Sequence, residues 1–118
     1  GNAKVSEVTS IYDGDTFRVN IEGYPPIIGK QIAVRVSGID TPEMDDPNPE
    51  IREKAQNAKQ LVVSLLRSGH RIELRNIRRD KYFRILAEVW IDDHSLADQL
   101  LKAGLAKPYF GGHKEAWK

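Results

Sequence analysis

The chain contains no cysteine, a single methionine and only three histidines in 118 residues. The absence of cysteine excludes disulfides and thiolate metal sites, and it is neutral on redox compartment. His70, His94 and His113 fall at no ligand spacing, so the composition argues against zinc. A strong charge of one sign is also missing: 18 Lys+Arg stand against 17 Asp+Glu, for a net charge of +1. That balance excludes a global basic field for a polyanion. No apolar run approaches the roughly 20 residues of a membrane-spanning helix, and no signal peptide can be read. The start, Gly1-Asn2-Ala3, reads as a cloning scar or a truncated beginning. The length fits one domain over residues 1–118, with residues 108–118 expected to form an irregular tail.

Charge is nevertheless segregated along the chain. Residues 40–50 carry five acids (Asp40, Glu43, Asp45, Asp46, Glu50) and no base. Residues 71–84 carry six bases (Arg71, Arg75, Arg78, Arg79, Lys81, Arg84) against Glu73 and Asp80. An acidic and a basic pole in one small domain suit a cation and a polyanion bound side by side, or simply two solvated faces.

Periodicity gives the element order. Lys4–Tyr12 reads as a strand, and Asp13-Gly14 as a tight turn using φ > 0. Thr16–Glu22 alternates Phe17, Val19 and Ile21 with polar residues, and Gln31–Ile39 is a β-branched run. The helix signal is complete: Asn48 as N-cap, Pro49 at the first position, an apolar stripe of Ile51, Ala55, Ala58, Val62 and Leu65, and Gly69 as a C′ glycine. Arg71–Ile77 and Arg84–Ile91 follow as strands around a basic turn. Ser95-Leu96-Ala97-Asp98 then opens a short helix that Gly104 closes. Three strands, a helix and two strands is the order of an OB-fold, a five-stranded Greek-key β-barrel of the mainly-β α+β class. Two or three packed helices are expected beside it.

Candidate chemistry sits at the strand ends. Asp15 and Asp40 would bring two carboxylates together, and oxygen-only ligands suit a hard cation such as Ca²⁺, with Mg²⁺ as the alternative. The ordinary alternative for Asp13-Gly14-Asp15-Thr16 is a plain hairpin turn. In Asp40-Thr41-Pro42-Glu43, Pro42 keeps Thr41 out of the α region, so the segment is extended. Thr41 could then offer its carbonyl to the metal, and Glu43, one water away, could act as a general base. A solvated Glu after a strand-ending turn is the alternative. Arg35, between Val34 and Val36, either points to solvent or meets an anion, and Arg84 offers bidentate donors to phosphate. Together these groups would meet the needs of phosphodiester hydrolysis: a polarising cation, positive charge for the transition state, and a group to activate water.

Four segments carry a resemblance. They are Tyr12-Asp13-Gly14-Asp15-Thr16, Val34-Arg35-Val36-Ser37-Gly38-Ile39-Asp40-Thr41-Pro42-Glu43, Asp80-Lys81-Tyr82-Phe83-Arg84, and Ala103-Gly104-Leu105-Ala106-Lys107. In order and interval they resemble the staphylococcal nuclease (thermonuclease) family over residues 4–110. The resemblance implies an OB-fold and Ca²⁺-dependent hydrolysis of single-stranded or frayed DNA and of RNA, leaving 3′-phosphate ends. It implies Asp15, Asp40 and the Thr41 carbonyl as metal ligands, Glu43 as the group acting on water, and Arg35 and Arg84 on the phosphate. Lys81 and Tyr82 correspond to residues that contact a terminal phosphate, and Tyr109 loosely to tyrosines that pack on a base. Founding members have Gly where Phe83 stands, so Phe83 either packs in the barrel or stacks on a base. The resemblance favours an exported protein, and the expectation is a monomer with no membrane partner. The alternative reading is a weakly active or inactive OB-fold module that binds nucleic acid or protein.

Overall fold

The computed structural model describes every residue except 26–28, 81–83, 113–116 and 118. Its elements, in order, are β1 (Ala3–Ile11), β2 (Thr16–Ile21), β3 (Ile32–Val36), β4 (Ile39–Asp40), α1 (Pro49–Ser68), β5 (Ile72–Arg79), β6 (Arg84–Ile91), β7 (His94–Ser95), α2 (Leu96–Lys102) and β8 (Lys107–Pro108). The sheet runs β3-β2-β1-β5-β6-β7, and β3 also pairs with β6. That last pairing closes five strands into a barrel and is parallel, while the others are antiparallel. The mainly-β barrel with packed helices read from the strand order is the fold observed.

Strand alternation sorts the side chains. Phe17, Val19, Val34, Val36, Leu74, Ala87 and Val89 point inward and are buried. The register pairs Phe17 with Val34 and Val34 with Ile85, so Thr16, Arg18, Arg35, Arg84 and Leu86 lie on the outer face. One end of the core is covered by α1 through Ile51, Ala55, Ala58, Val62 and Leu66, and α2 adds Leu96 and Leu100. The α1 stripe thus ends on Leu66, one residue beyond the Leu65 expected from spacing, and Leu65 packs only partly buried.

Both helices start as their sequences predict. Asn48 accepts from Glu50 N at 3.0 Å, and Ser95 Oγ accepts from Asp98 N at 3.2 Å. Gly104, at φ 73°, ends α2, with Leu105 N donating to Leu100 O and Gly104 N to Leu101 O. Asp92 and Asp93, both at positive φ, turn β6 into β7.

Two glycines serve a purpose other than the one expected. Gly69 does not end α1 in a left-handed conformation; it is extended, at φ −69° and ψ 143°. A Cβ there would sit 2.4 Å from Ile91 Cγ2, so glycine is needed for close packing of α1 on β6. Gly14 is likewise absent from the positive-φ residues, and the β1–β2 turn is a wider bend, with Tyr12 N and Asp13 N both donating to Thr16 O. A Cβ at Gly14 would lie 2.9 Å from both Ala58 Cβ and Thr41 Cγ2. The turn is therefore pressed between α1 and the segment after β4. The single long β3 expected over 31–39 is interrupted by Ser37-Gly38, where Gly38 takes φ 86°, so Ile39–Asp40 forms a separate strand. β8 pairs with β4 and takes in Pro108, the first residue of the expected irregular tail.

The β1–β2 turn also buries two carboxylates. Asp13 Oδ1 accepts from Asp15 N at 3.0 Å. Burial, and then the neighbouring Asp15 charge, push the Asp13 carboxyl up to about 7.

Gly14→Ala is expected to cost about 1–3 kcal/mol by overpacking, read as a lower midpoint in denaturant; an unchanged midpoint would mean that the turn can move away from Ala58 and Thr41. A second expectation concerns pH. Because the Asp13 carboxyl is raised in the folded state, its contribution to stability is full below the unfolded value and is lost as pH rises through about 7. Asp13→Asn keeps the acceptor but cannot ionise. In chelator it should melt higher than wild type above pH 7, with the gain shrinking towards pH 4; a pH-independent difference would contradict the raised carboxyl.

Candidate active site

Three backbone segments meet at one edge of the barrel. The register sets Thr16 opposite Arg35, and Val36 N donates to Asp15 O at 2.9 Å, which places the end of the β1–β2 turn beside β3. The Ser37-Gly38 turn then folds β4 back over the same edge. β8 holds β4 there through the pairs Ile39–Pro108 and Asp40–Lys107, helped by Tyr109 N donating to Gly38 O at 2.9 Å.

Arg35 occupies an outward position in β3, yet it is only 6% exposed because these two segments cover it. Its Nη1 lies 2.9 Å from Asp15 Oδ2, and its Nη2 lies 3.6 Å from Asp40 Oδ1. Asp15 and Asp40 are also 6% exposed, and Thr41 is 2% exposed. Asp15 Oδ2 further accepts from Thr41 N at 3.0 Å, and Oδ1 accepts from Thr16 Oγ1 at 3.1 Å. A buried ion pair of this kind repays its desolvation only with such supporting hydrogen bonds, and loss of one partner leaves a buried charge uncompensated. Thr41 Oγ1 is buried with no hydrogen-bond partner among the described residues.

The remaining candidates stand further out. Glu43 is exposed on the loop after Asp40. Arg84 lies on the same outer face as Arg35, since β6 pairs in parallel register with β3, Ala33 to Arg84 and Arg35 to Leu86. Its Nε donates to Asp80 Oδ2 at 2.7 Å, a contact that fixes one side of the guanidinium. Tyr109 is partly buried at the rim, its hydroxyl donating to Gly112 O at 2.9 Å. Lys81, Tyr82 and Phe83 lie outside the described residues.

Asp15, Arg35, Asp40 and Thr41 are thus in one cluster; Arg84 lies on the same outer face as Arg35, and Glu43 is exposed two residues after Thr41. Two neighbours were not singled out from sequence. Asp13 reads as a turn former, yet it is a third buried carboxyl next to the cluster. Phe110, 89% exposed, lies close to Gly38, and a Cβ on Gly38 would be 3.8 Å from its ring. The only signal for it was an aromatic in a Gly/Pro-rich tail.

A sequence profile described as "Staphylococcal nuclease homologue" matches residues 33–117. The chain is 38% identical over 98 residues to "Endonuclease YncB" of Bacillus subtilis (strain 168), covering 80% of this chain and 43% of that protein. It is 32% identical over 110 residues to "Thermonuclease" of Staphylococcus hyicus, covering 92% and 62%. It is also 38% identical over 98 residues to "SPbeta prophage-derived endonuclease YokF" of Bacillus subtilis (strain 168), covering 80% and 31%. The chain therefore spans less than two thirds of the length of each of these relatives. The profile covers most of the chain, including Arg35, Asp40, Glu43 and Arg84. On these grounds the chain belongs to the staphylococcal nuclease family.

Proposed function

We propose that the protein is a metal-dependent nuclease that hydrolyses phosphodiester bonds of DNA or RNA. The observation that carries this reading is the burial of Asp15, Asp40 and Arg35 in one cluster at the barrel edge. The endonuclease and thermonuclease names of the relatives support it.

The donor set fits a hard divalent cation. The cluster holds two carboxylates against one guanidinium, next to a third carboxyl, Asp13, that burial already disfavours as an anion. Among the described residues no group of three or more His, Cys, Asp or Glu is gathered closely enough to hold a metal. Asp15, Asp40 and the Thr41 carbonyl would hold it, with water completing the shell, a pattern that favours Ca²⁺ or Mg²⁺ over zinc. When bound, the ion supplies charge that polarises the phosphate.

The chain's own groups supply the rest. Arg35 is pre-positioned by its ion pairs, and its guanidinium adds positive charge where the attacked phosphoryl group gains negative charge. Arg84, steadied through Nε by Asp80, keeps its Nη donors for phosphate oxygens. Exposed Glu43 takes the proton of the attacking water as its oxygen bonds to phosphorus. The bond from phosphorus to the 5′ oxygen breaks with its electron pair going to that oxygen, which takes a proton from solvent water, and a 3′-phosphate end remains. Lys81, Tyr82 and Tyr109 complete the proposed contacts to substrate. In this reading the substrate is single-stranded or frayed DNA, or RNA, the ion is Ca²⁺, and the active form is a monomer. Among the described residues no helix is long and apolar enough to cross a membrane.

The direct test is cleavage of a labelled single-stranded DNA and a matched RNA with Ca²⁺, Mg²⁺ or chelator, with Glu43→Ala in parallel. Metal-requiring cleavage that collapses in the variant supports the reading. Binding without cleavage under any ion would sink it in favour of a binding module.

The two arginines should separate in their effects. Arg84→Ala should slow cleavage about 10²-fold or more with little change in the melting temperature. Arg35→Ala leaves Asp15 and Asp40 buried without their cation and should cost about 3–5 kcal/mol of stability. Added Ca²⁺ should raise the wild-type melting temperature by mass action, and Asp15→Asn should abolish that shift. An Asp15→Asn protein that Ca²⁺ still stabilises equally would place the ion elsewhere.

A further inference from the structure

The outer face of the barrel carries more positive charge than the proposed chemistry uses. The register across β2, β3, β6 and β5 defines two adjacent rows on this face. One row is Thr16, Arg35, Leu86 and Arg78; the other begins with Arg18 and passes through Ala33 to Arg84. Arg78 reaches this face because the irregularity between Arg75 and Arg78, where Asn76 takes φ 54°, resets the alternation of β5. Arg18 and Arg78 are exposed, and neither makes an ion pair among the described residues. Arg18 Nη1 donates to the backbone carbonyl of Gln31 at 3.1 Å. In contrast, Arg75, before the irregularity in β5, is occupied by Glu73, Asp93 and the Trp90 ring.

Arg18 and Arg78 therefore flank the candidate site on opposite sides. Arg18 lies two strands from Arg84, and Arg78 lies two strands from Arg35, about 10 Å in each case from the spacing of neighbouring strands. A chain net charge of +1 gives no general attraction for a polyanion, so uncompensated arginines lined up on one face count for more.

We infer that Arg18 and Arg78 extend the proposed active site into a phosphate track, each gripping a backbone phosphate of a single-stranded nucleic acid to one side of the scissile bond. The inference rests on the nuclease reading for the polarity of the site, but it is tested by binding alone. The contacts are to phosphate, so the track fixes the strand's path and length and carries no base sequence. It makes the protein a better binder of strands several nucleotides long than of a dinucleotide.

Binding of a fluorescent dinucleotide and of a 12-nucleotide strand, as DNA and as RNA, would be measured from 50 to 300 mM salt in the Glu43→Gln protein with Ca²⁺. Adding Arg18→Gln and Arg78→Gln together should lower the slope of log affinity against log salt for the 12-nucleotide strand by about 1.4, at about 0.7 per phosphate contact. The same slope makes each contact worth roughly 5-fold in affinity at 0.1 M salt. The dinucleotide should lose much less. Arg79→Gln is the control for charge alone, since Arg79 pairs with Ile85 and so has the opposite alternation. An unchanged slope in the double variant, equal losses at both lengths, or as large a slope change per residue in Arg79→Gln would overturn the track. Wild-type protein run alongside keeps the two readings apart: no cleavage, with the slope change intact, retains the track and rejects the nuclease.

Discussion

Burying Arg35 against Asp15 and Asp40 is the constraint around which the edge of this barrel is arranged. The guanidinium sits on an outward position of β3, where solvent would ordinarily claim it. It is dry because the β1–β2 turn and β4 fold over it, and those segments can lie there because their carboxylates meet its charge. Each piece stabilises the others, since the one guanidinium pairs with a carboxylate from each covering segment. Removing the arginine leaves two buried anions, while removing one carboxylate leaves a one-to-one ion pair and frees one of the two covering segments from the arginine. Such over-determination holds charged groups in fixed positions without substrate, which is what electrostatic preorganisation requires.

The supports of this cluster come from distant parts of the chain. The turn bearing Asp13 and Asp15 is pressed against Ala58 of α1 and Thr41, with glycine the residue that fits at position 14. β8 braces the strand that carries Asp40. Closure of the barrel through the parallel β3–β6 pair sets Arg84 on the same face as Arg35. The proposed chemistry and the proposed phosphate track thus share one sheet face, and the pairing register decides which arginines belong to it. Arg78 and Arg79 are adjacent in sequence and equal in charge, but they fall on opposite alternations of β5.

Much of this was legible in the chain itself. Alternation of Phe17, Val19 and Ile21, the Asn48-Pro49 start of α1 and the Ser95–Asp98 cap follow from local rules, and the structure repeats them. The site residues could be named because the four segments that carry them resemble the staphylococcal nuclease family; taken singly, each also reads as an ordinary turn or a solvated charge. Local rules misled where packing between remote segments set the requirement. Gly14 and Gly69 look like turn and cap glycines, yet both are glycine because a Cβ would collide with another element.

The sequence by itself determined the element order, the absence of thiolate and disulfide chemistry, the inward faces of the strands and the types of group available for chemistry. These depend on residue identity and on spacings of two or about 3.6, which are properties of the local chain. Only the tertiary structure decided that Arg35 is buried and not solvated, that Asp13 is a third buried carboxyl, that Arg84 is tethered to Asp80, and that Arg18 and Arg78 flank the site. Those outcomes depend on barrel closure and strand register, which bring together groups tens of residues apart, and no local periodicity encodes the distance between them.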